Sequence, residues 1–229
     1  MCIICCSPVG VTQPDVKTLK TMFDNNPHGA GYMTARNGRV EISKGYMSWN
    51  EFVRAINYER FGEEHPVVYH FRISTQAGVN PEMTHPFPLT SDIKNTKLLD
   101  LSCPIGVAHT GIVTLTTNRA DKEYSDTAHY IAEFMRYLVR DAEDMANPAI
   151  LSAIERTTRS KWALMDGDGN IETVGHFTKE KNGLLFSNGT YRAAKMFYPG
   201  GYTGSGKYRA AGNNNMVIRE FYEDEPWTL

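Results

Sequence analysis

The chain has few of the features that commit a protein to a specialised class. Four cysteines in 229 residues are too few for a disulfide framework. No apolar run approaches the ~18 residues of a bilayer-crossing helix. The N-terminal stretch has no basic n-region and no small-residue cleavage site, so it does not read as a signal peptide. Net charge is only −2, which gives no global attraction to nucleic acid or to a membrane surface. There is no fixed-period repeat and no low-complexity block. What remains is a globular chain with a cytoplasmic location as the default. Residues 1–229 are expected to form a single domain. Within it, 191–229 is a loop-rich basic C-terminal segment packed on the rest or extending from it.

Metal and cofactor signals also fail on inspection. Cys2-x-x-Cys5 has the spacing of a metal or redox pair. If 2–6 is a strand, however, those two side chains point to opposite faces. Cys103 and His109 could complete a site, but without matching spacing. Cys5 and Cys6 read as small buried apolar residues. Gly201-x4-Gly206-Lys207 is followed by Tyr208, where a phosphate loop needs Ser or Thr. Asp166-x-Asp168-x-Asn170 has Ile171 where a calcium loop needs glycine. No metal and no cofactor is expected.

What is present is a chain that is 41% hydrophobic and 22% charged, enough for a sizeable core. An apolar strand at 2–6 is followed by a helix over 15–25 with Val16, Leu19, Met22 and Phe23 at helical spacing. Strands over 31–35 and 39–43 flank Asn37-Gly38, the strongest short hairpin signal. Ser48 and Glu51 form a capping box for a helix with Trp49, Phe52, Val53 and Ile56 on its apolar face. Strands follow at 67–74 and 105–109. Ser125 opens a helix with one continuous stripe from Ala128 through Ile131, Met135 and Val139 to Ala142. Asn147-Pro148 starts another helix. A second hairpin turns at 166–170, and strands are expected at 184–188 and 216–221. Strands and helices fall in groups, which predicts an α+β layered domain with mainly antiparallel sheets.

The chemistry-bearing stretch is Met1-Cys2-Ile3-Ile4. Cysteine is small enough for Met1 to be removed behind it. Cys2 would then carry both a thiol and a free α-amine of pKa ~7.7–8.0, a base able to take the thiol proton. Four more places put polar residues beside turns, as sites at element ends do. They are Arg72-Ile73-Ser74-Thr75, His85-Pro86, His109-Thr110-Gly111 and Ser125-Asp126-Thr127.

In this order the five stretches resemble the glutaminase domain of class II glutamine amidotransferases. Asn26-Pro27-His28-Gly29-Ala30-Gly31 and Phe186-Ser187-Asn188 are similar to further stretches of that family, so the resemblance spans about residues 2–190. It implies a four-layer α/β/β/α sandwich of the N-terminal nucleophile hydrolase type. It implies Cys2 as nucleophile, Arg72 on the carboxylate of glutamine, and Asp126 on its ammonium. Thr75 and His85 would shape the pocket, and Gly111 would donate its N–H to the oxyanion. Thr110 would take the catalytic place of the family's oxyanion asparagine, with a hydroxyl that can donate but is shorter and differently aimed, and losing such a donor typically costs ~10²–10³ in rate.

The implied activity is hydrolysis of a linear amide, that of glutamine or a related γ-glutamyl compound, releasing ammonia. No second domain long enough to use the ammonia is expected within the 229 residues, which implies a separate synthetase partner or a stand-alone amidohydrolase. A catalytically silent ligand-binding or partner-regulating protein of the same fold is the alternative. The segment 181–219 holds six basic residues and no acidic one. A nucleic-acid contact there is the weaker reading beside a solvated loop.

Overall fold

The computed structural model describes residues 2–73, 78–116 and 123–192. Thr75, the strand expected at 216–221 and the basic segment beyond 192 lie outside the described residues. In chain order the first half contains β1 (Ile3–Ser7), α1 (Val16–Asn25), β2 (Ala30–Arg36), β3 (Arg39–Tyr46), α2 (Trp49–Glu59) and β4 (Val67–Phe71). Then come β5 (Phe87–Pro88), a 3₁₀ turn (Ile93–Lys97), β6 (Asp100–Cys103) and β7 (Ile105–Thr110). The second half has α3 (Asp126–Tyr130), a π-helical turn (Ile131–Met135), α4 (Arg136–Leu138), α5 (Ala142–Met145) and α6 (Pro148–Thr158). It closes with β8 (Lys161–Asp166), β9 (Ile171–Val174), β10 (Thr178–Lys179) and β11 (Leu185–Phe186).

The strands form two antiparallel sheets. One runs β10-β11-β1-β4-β2-β3-β6 and the other β5-β7-β8-β9. Alternation along each strand divides its side chains between two cores. Ile3 and Cys5 of β1 join Met22 and Phe23 of α1 and Phe52 of α2 in one cluster. Ile4 and Cys6 face the other way and meet Ala108, Ala163 and Met165 of the second sheet. On the far side of that sheet, Val107, Trp162 and Leu164 pack against Tyr130, Ile131 and Ile154 of the later helices. The layer order is therefore helices, sheet, sheet, helices. It is an α+β sandwich, and β1 begins at Ile3, so of the two cysteines only Cys5 lies in the strand.

Local signals explain most elements. Asp15 caps α1 by accepting from Thr18 N at 2.6 Å. Ser48 and Glu51 make the reciprocal capping box of α2. Asn37 and Gly38 both have positive φ, 52° and 73°, the geometry of a primed hairpin turn that matches strand twist. Asn147 caps α6 with Pro148 in its first turn. Phe52 holds the outer helical layer down through edge-on contacts to Phe71 at 5.0 Å and Tyr69 at 6.4 Å. Such pairs are worth ~0.5–1.5 kcal/mol each beyond area burial.

The stripe from Ala128 to Ala142 is not one helix. It passes through the π-helical turn and stops at Val139, whose φ and ψ are −111° and 103°. The charged run after Val139 is the reason. Asp141 caps α5 by accepting from Asp144 N at 2.9 Å, and Asp144 accepts from Arg140 N at 3.0 Å. These side chains offer the backbone an alternative to continuing the helix. Leu138 is consequently left exposed. The strand expected at 184–188 pairs only over Leu185–Phe186, and β6 carried no clear sequence signal.

Lys44 is the unusual residue of the interior. It shares the inward parity of Val40 and Ile42 on β3 and is buried. Its Nζ donates to the carbonyl oxygens of Glu82 at 2.6 Å, Thr84 at 3.0 Å and Thr96 at 2.6 Å. It also lies 4.2 Å from the Phe87 ring centroid. Burial lowers its pKa well below the usual lysine value, and the nearby Glu82 partly offsets this. Three carbonyl acceptors nevertheless match the three N–H bonds of the ammonium form. Lys44 thus straps the 82–96 segment, which carries His85, to the sheet. Lys44→Met should lower unfolding free energy by about 3–5 kcal/mol, because two buried carbonyls and a half-buried one lose their donor. Urea denaturation checks this, and a midpoint equal to wild type would contradict it.

Candidate active site

The register of β1 against β4 starts the site. Ile3 pairs with Phe71 and Ile4 with His70, so Cys2 lies beside residues 72 and 73. Its Sγ accepts from Ile73 N at 3.3 Å and its S–H reaches Ile73 O at 3.4 Å. The Cys2 thiol is pushed up by burial. The Ile73 backbone bond and then the Arg72 charge act against that. A thiol held this way is neutral at rest and needs a base to become a nucleophile.

Arg72 directly follows β4 and continues the inward parity of Val68 and His70. Its backbone is tied to the loop before β2, with Arg72 N donating to Gly29 O at 2.8 Å and His28 N to Arg72 O at 2.9 Å. The guanidinium is buried, which lowers its pKa, while the charges of Cys2 and Asp126 pull it back up. Arg72 therefore feels the charges of both groups.

Asp126 opens α3, yet the cap of that helix is Ser125, whose Oγ accepts from Ala128 N at 3.2 Å. The Asp126 carboxylate instead holds the 111–116 loop. Its Oδ2 accepts from Val113 N at 2.6 Å and its Oδ1 from Thr127 N at 2.9 Å. Thr116 Oγ1 adds a bond to Asp126 O at 2.7 Å. Burial raises the Asp126 carboxyl, and the Val113 and Thr127 N–H groups oppose this.

Thr110 and Gly111 stand at the end of β7. The Thr110 hydroxyl donates to Cys2 O at 2.6 Å. A hydroxyl has one proton, so this bond takes the proton an oxyanion would need. Gly111 turns the chain with φ 142°. A Cβ there would run into the Ser160 side chain, which restricts the position to glycine.

Beneath these groups lies a buried histidine cluster. His70 Nε2 and His85 Nδ1 both lie 3.0 Å from His109 O. A carbonyl can only accept, so the His70 proton sits on Nε2, whereas His85 Nδ1 also faces His109 N at 3.3 Å and either donates to the carbonyl or accepts from that N–H according to its tautomer. His109 Nδ1 meets Thr127 Oγ1 at 2.8 Å, and its ring lies 4.0 Å from that of Trp162. His70 Nδ1 and His109 Nε2 are buried with no hydrogen-bond partner among the described residues. Burial drives His70 and His109 down to about 3 and His85 well below its ordinary value. His85, which precedes a cis proline, is thus a buried neutral ring in this cluster.

The structure brings together Cys2, Arg72, Thr110, Gly111 and Asp126, with His85 below them. It adds Asn188, whose Nδ2 donates to Cys2 O at 2.7 Å. Asn188 is expected in the strand 184–188 and within the resemblance, but with no role of its own. Ser187 is part of the same support. Its Oγ accepts from Ile4 N at 2.9 Å, and its N donates to Ile4 O at 3.0 Å. Lys161 Nζ in turn bonds Ser187 O. Among the described residues, no group of three or more His, Cys, Asp or Glu is arranged to hold a metal. No described helix is long and apolar enough to cross a membrane. No protein-family model matches the chain, and no curated protein matches it in sequence.

The histidines set a pH dependence. Their folded pKa values lie below the unfolded value of ~6.5, so below that pH the unfolded chain binds more protons. Their contribution is fully present above pH ~6.5 and falls as pH drops toward the folded values, by about 1.4 kcal/mol per pH unit per histidine. Urea unfolding at pH 7 and pH 5 should show this loss, with a smaller slope in His70→Asn. A flat stability profile over that range would contradict it.

Proposed function

We propose that the chain is an amidohydrolase of the class II glutamine amidotransferase type with an N-terminal nucleophile fold. It hydrolyses the side-chain amide of glutamine or a related γ-glutamyl amide. The observation that carries this reading is the placement of Cys2 beside Arg72 by the β1–β4 register, with Asp126 near enough for its charge to act on Arg72. A zwitterionic amino acid needs one fixed cation and one fixed anion, and amide cleavage needs a nucleophile beside them.

The chemistry follows from those groups. Removal of Met1 frees the Cys2 α-amine, which takes the Sγ proton. Sγ then attacks the amide carbon while Arg72 holds the substrate carboxylate and Asp126 its ammonium. The Gly111 N–H is the backbone donor for the oxyanion. Collapse of the tetrahedral species breaks the C–N bond, and the α-ammonium returns its proton to the departing ammonia. Water, deprotonated by the same amine, attacks the γ-glutamyl thioester and releases glutamate and free Cys2. The ammonia passes to a separate synthetase, or the enzyme works alone, in the cytoplasm.

One observation favours a second reading, a catalytically silent amino-acid-binding protein of the same fold. The Thr110 proton is already committed to Cys2 O, so this position offers no side-chain donor to an oxyanion.

The two readings separate in one assay. Purified protein that has lost Met1 should release ammonia from glutamine. Cys2→Ala should abolish this by at least ~10³-fold, and Arg72→Ala should raise KM about 10- to 100-fold. Glutamine binding with equal, background ammonia release from wild type and Cys2→Ala would leave only the silent reading.

A further inference from the structure

We propose that Thr110 and Asn188 form a two-donor clamp on the Cys2 carbonyl that positions the nucleophile. The inference deepens the reading above and rests on it for its catalytic consequence. A carbonyl oxygen has two lone pairs. Thr110 Oγ1 at 2.6 Å and Asn188 Nδ2 at 2.7 Å supply one donor for each. The donors come from different sheets. Thr110 ends β7 in the four-stranded sheet, and Asn188 follows β11 in the seven-stranded one. The clamp therefore fastens the start of β1 to both layers at once.

Asn188 is itself held in this orientation. Its Oδ1 accepts from Thr190 N at 3.0 Å and from Thr190 Oγ1 at 2.7 Å, which turns Nδ2 toward Cys2. Thr190 is anchored to the end of α1, accepting from Asn26 Nδ2 at 3.3 Å and Asn25 Nδ2 at 2.7 Å. A hydrogen-bonded chain thus runs from α1 through Thr190 and Asn188 to the nucleophilic residue.

The physical need is specific to a nucleophile at a chain end. A terminal residue frays unless it is tied down. Ile73 fixes only Sγ. With the carbonyl also fixed, the remaining substituent of Cys2, its α-amine, has one direction, and base and thiol keep one geometry. Misplacement of about 1 Å at such a site costs ~10² in rate. Thr110 and Asn188 are accordingly positioning residues, and their loss should appear in kcat.

The test compares wild type with Thr110→Val, Asn188→Leu and Thr110→Ser. Val keeps the shape of Thr without its donor, and Ser keeps the donor. Two readouts are taken on protein lacking Met1: kcat and KM for glutamine, and the rate of Cys2 alkylation by iodoacetamide between about pH 6 and 9, followed by intact mass. The clamp predicts that Val and Leu each lower kcat ~10- to 100-fold, with KM within about twofold. It predicts a displaced alkylation pH profile in both and recovery of most activity in Thr110→Ser. Thr110→Val with wild-type kcat and alkylation, or Thr110→Ser as impaired as Thr110→Val, would overturn it. If wild type releases no ammonia, the hydrolase reading fails separately and alkylation alone decides. Slower, pH-displaced labelling in Thr110→Val supports the clamp, and wild-type labelling removes it. Should Asn188→Leu fail to fold by circular dichroism, the Thr110 pair carries the test.

Discussion

The antiparallel pairing of β1 with β4 is the constraint on which the site depends. Its register, Ile3 against Phe71 and Ile4 against His70, fixes which residues lie beside Cys2. A slip of one residue would turn every side chain of β1 to the other face. The fully buried Ile3, Ile4, Cys5 and Cys6 make such a slip costly, since each face of the strand fills a different core. The thiol then meets the Ile73 backbone, and Arg72 follows on the same inward parity as His70. The strand that follows Cys2, the proposed nucleophile, is thus central to the fold, with Ile3 and Cys5 in one core and Ile4 and Cys6 in the other.

Around that register the structure separates two kinds of polar residue. The buried histidines and Lys44 are satisfied or neutral and build a rigid floor. His109 O collects both His70 and His85, and Lys44 collects three carbonyls of the loop that delivers His85. Above the floor, Arg72 and Asp126 bear opposite charges, half-solvated at Asp126 and buried at Arg72. A low-dielectric floor beneath such a pair would strengthen the proposed interaction with a small zwitterion, because the groups cannot be fully screened by water. The same burial raises the Cys2 thiol, which makes the proposed removal of Met1, and the amine it frees, a requirement of the chemistry.

Much of this was legible in the sequence because it rests on local rules. The Ser48–Glu51 box, the Asn37-Gly38 turn and the Asn147-Pro148 helix start each follow from a few adjacent residues. The break after Val139 was not legible from apolar spacing. It depends on Asp141 and Asp144 satisfying backbone N–H groups that a continuing helix would have used otherwise. Lys44 could have been found, since it has the inward parity of Val40 and Ile42. Its partners Glu82, Thr84 and Thr96 come from a distant loop and carry no pattern. Cys2, Arg72, Gly111 and Asp126 were legible as a set through resemblance to a family, not through spacing. The partners of Thr110 and Asn188 were hidden because a carbonyl acceptor leaves no mark in a sequence. Thr75 lies outside the described residues.

The most direct test of the central claim is covalent capture at Cys2 with a γ-diazoketone analogue of glutamine, followed by intact mass and peptide mapping. The account predicts protein lacking Met1, a single adduct on Cys2, and protection by free glutamine that is lost in Asp126→Ala. Retained Met1 in the native protein, or labelling that glutamine does not slow, would contradict it.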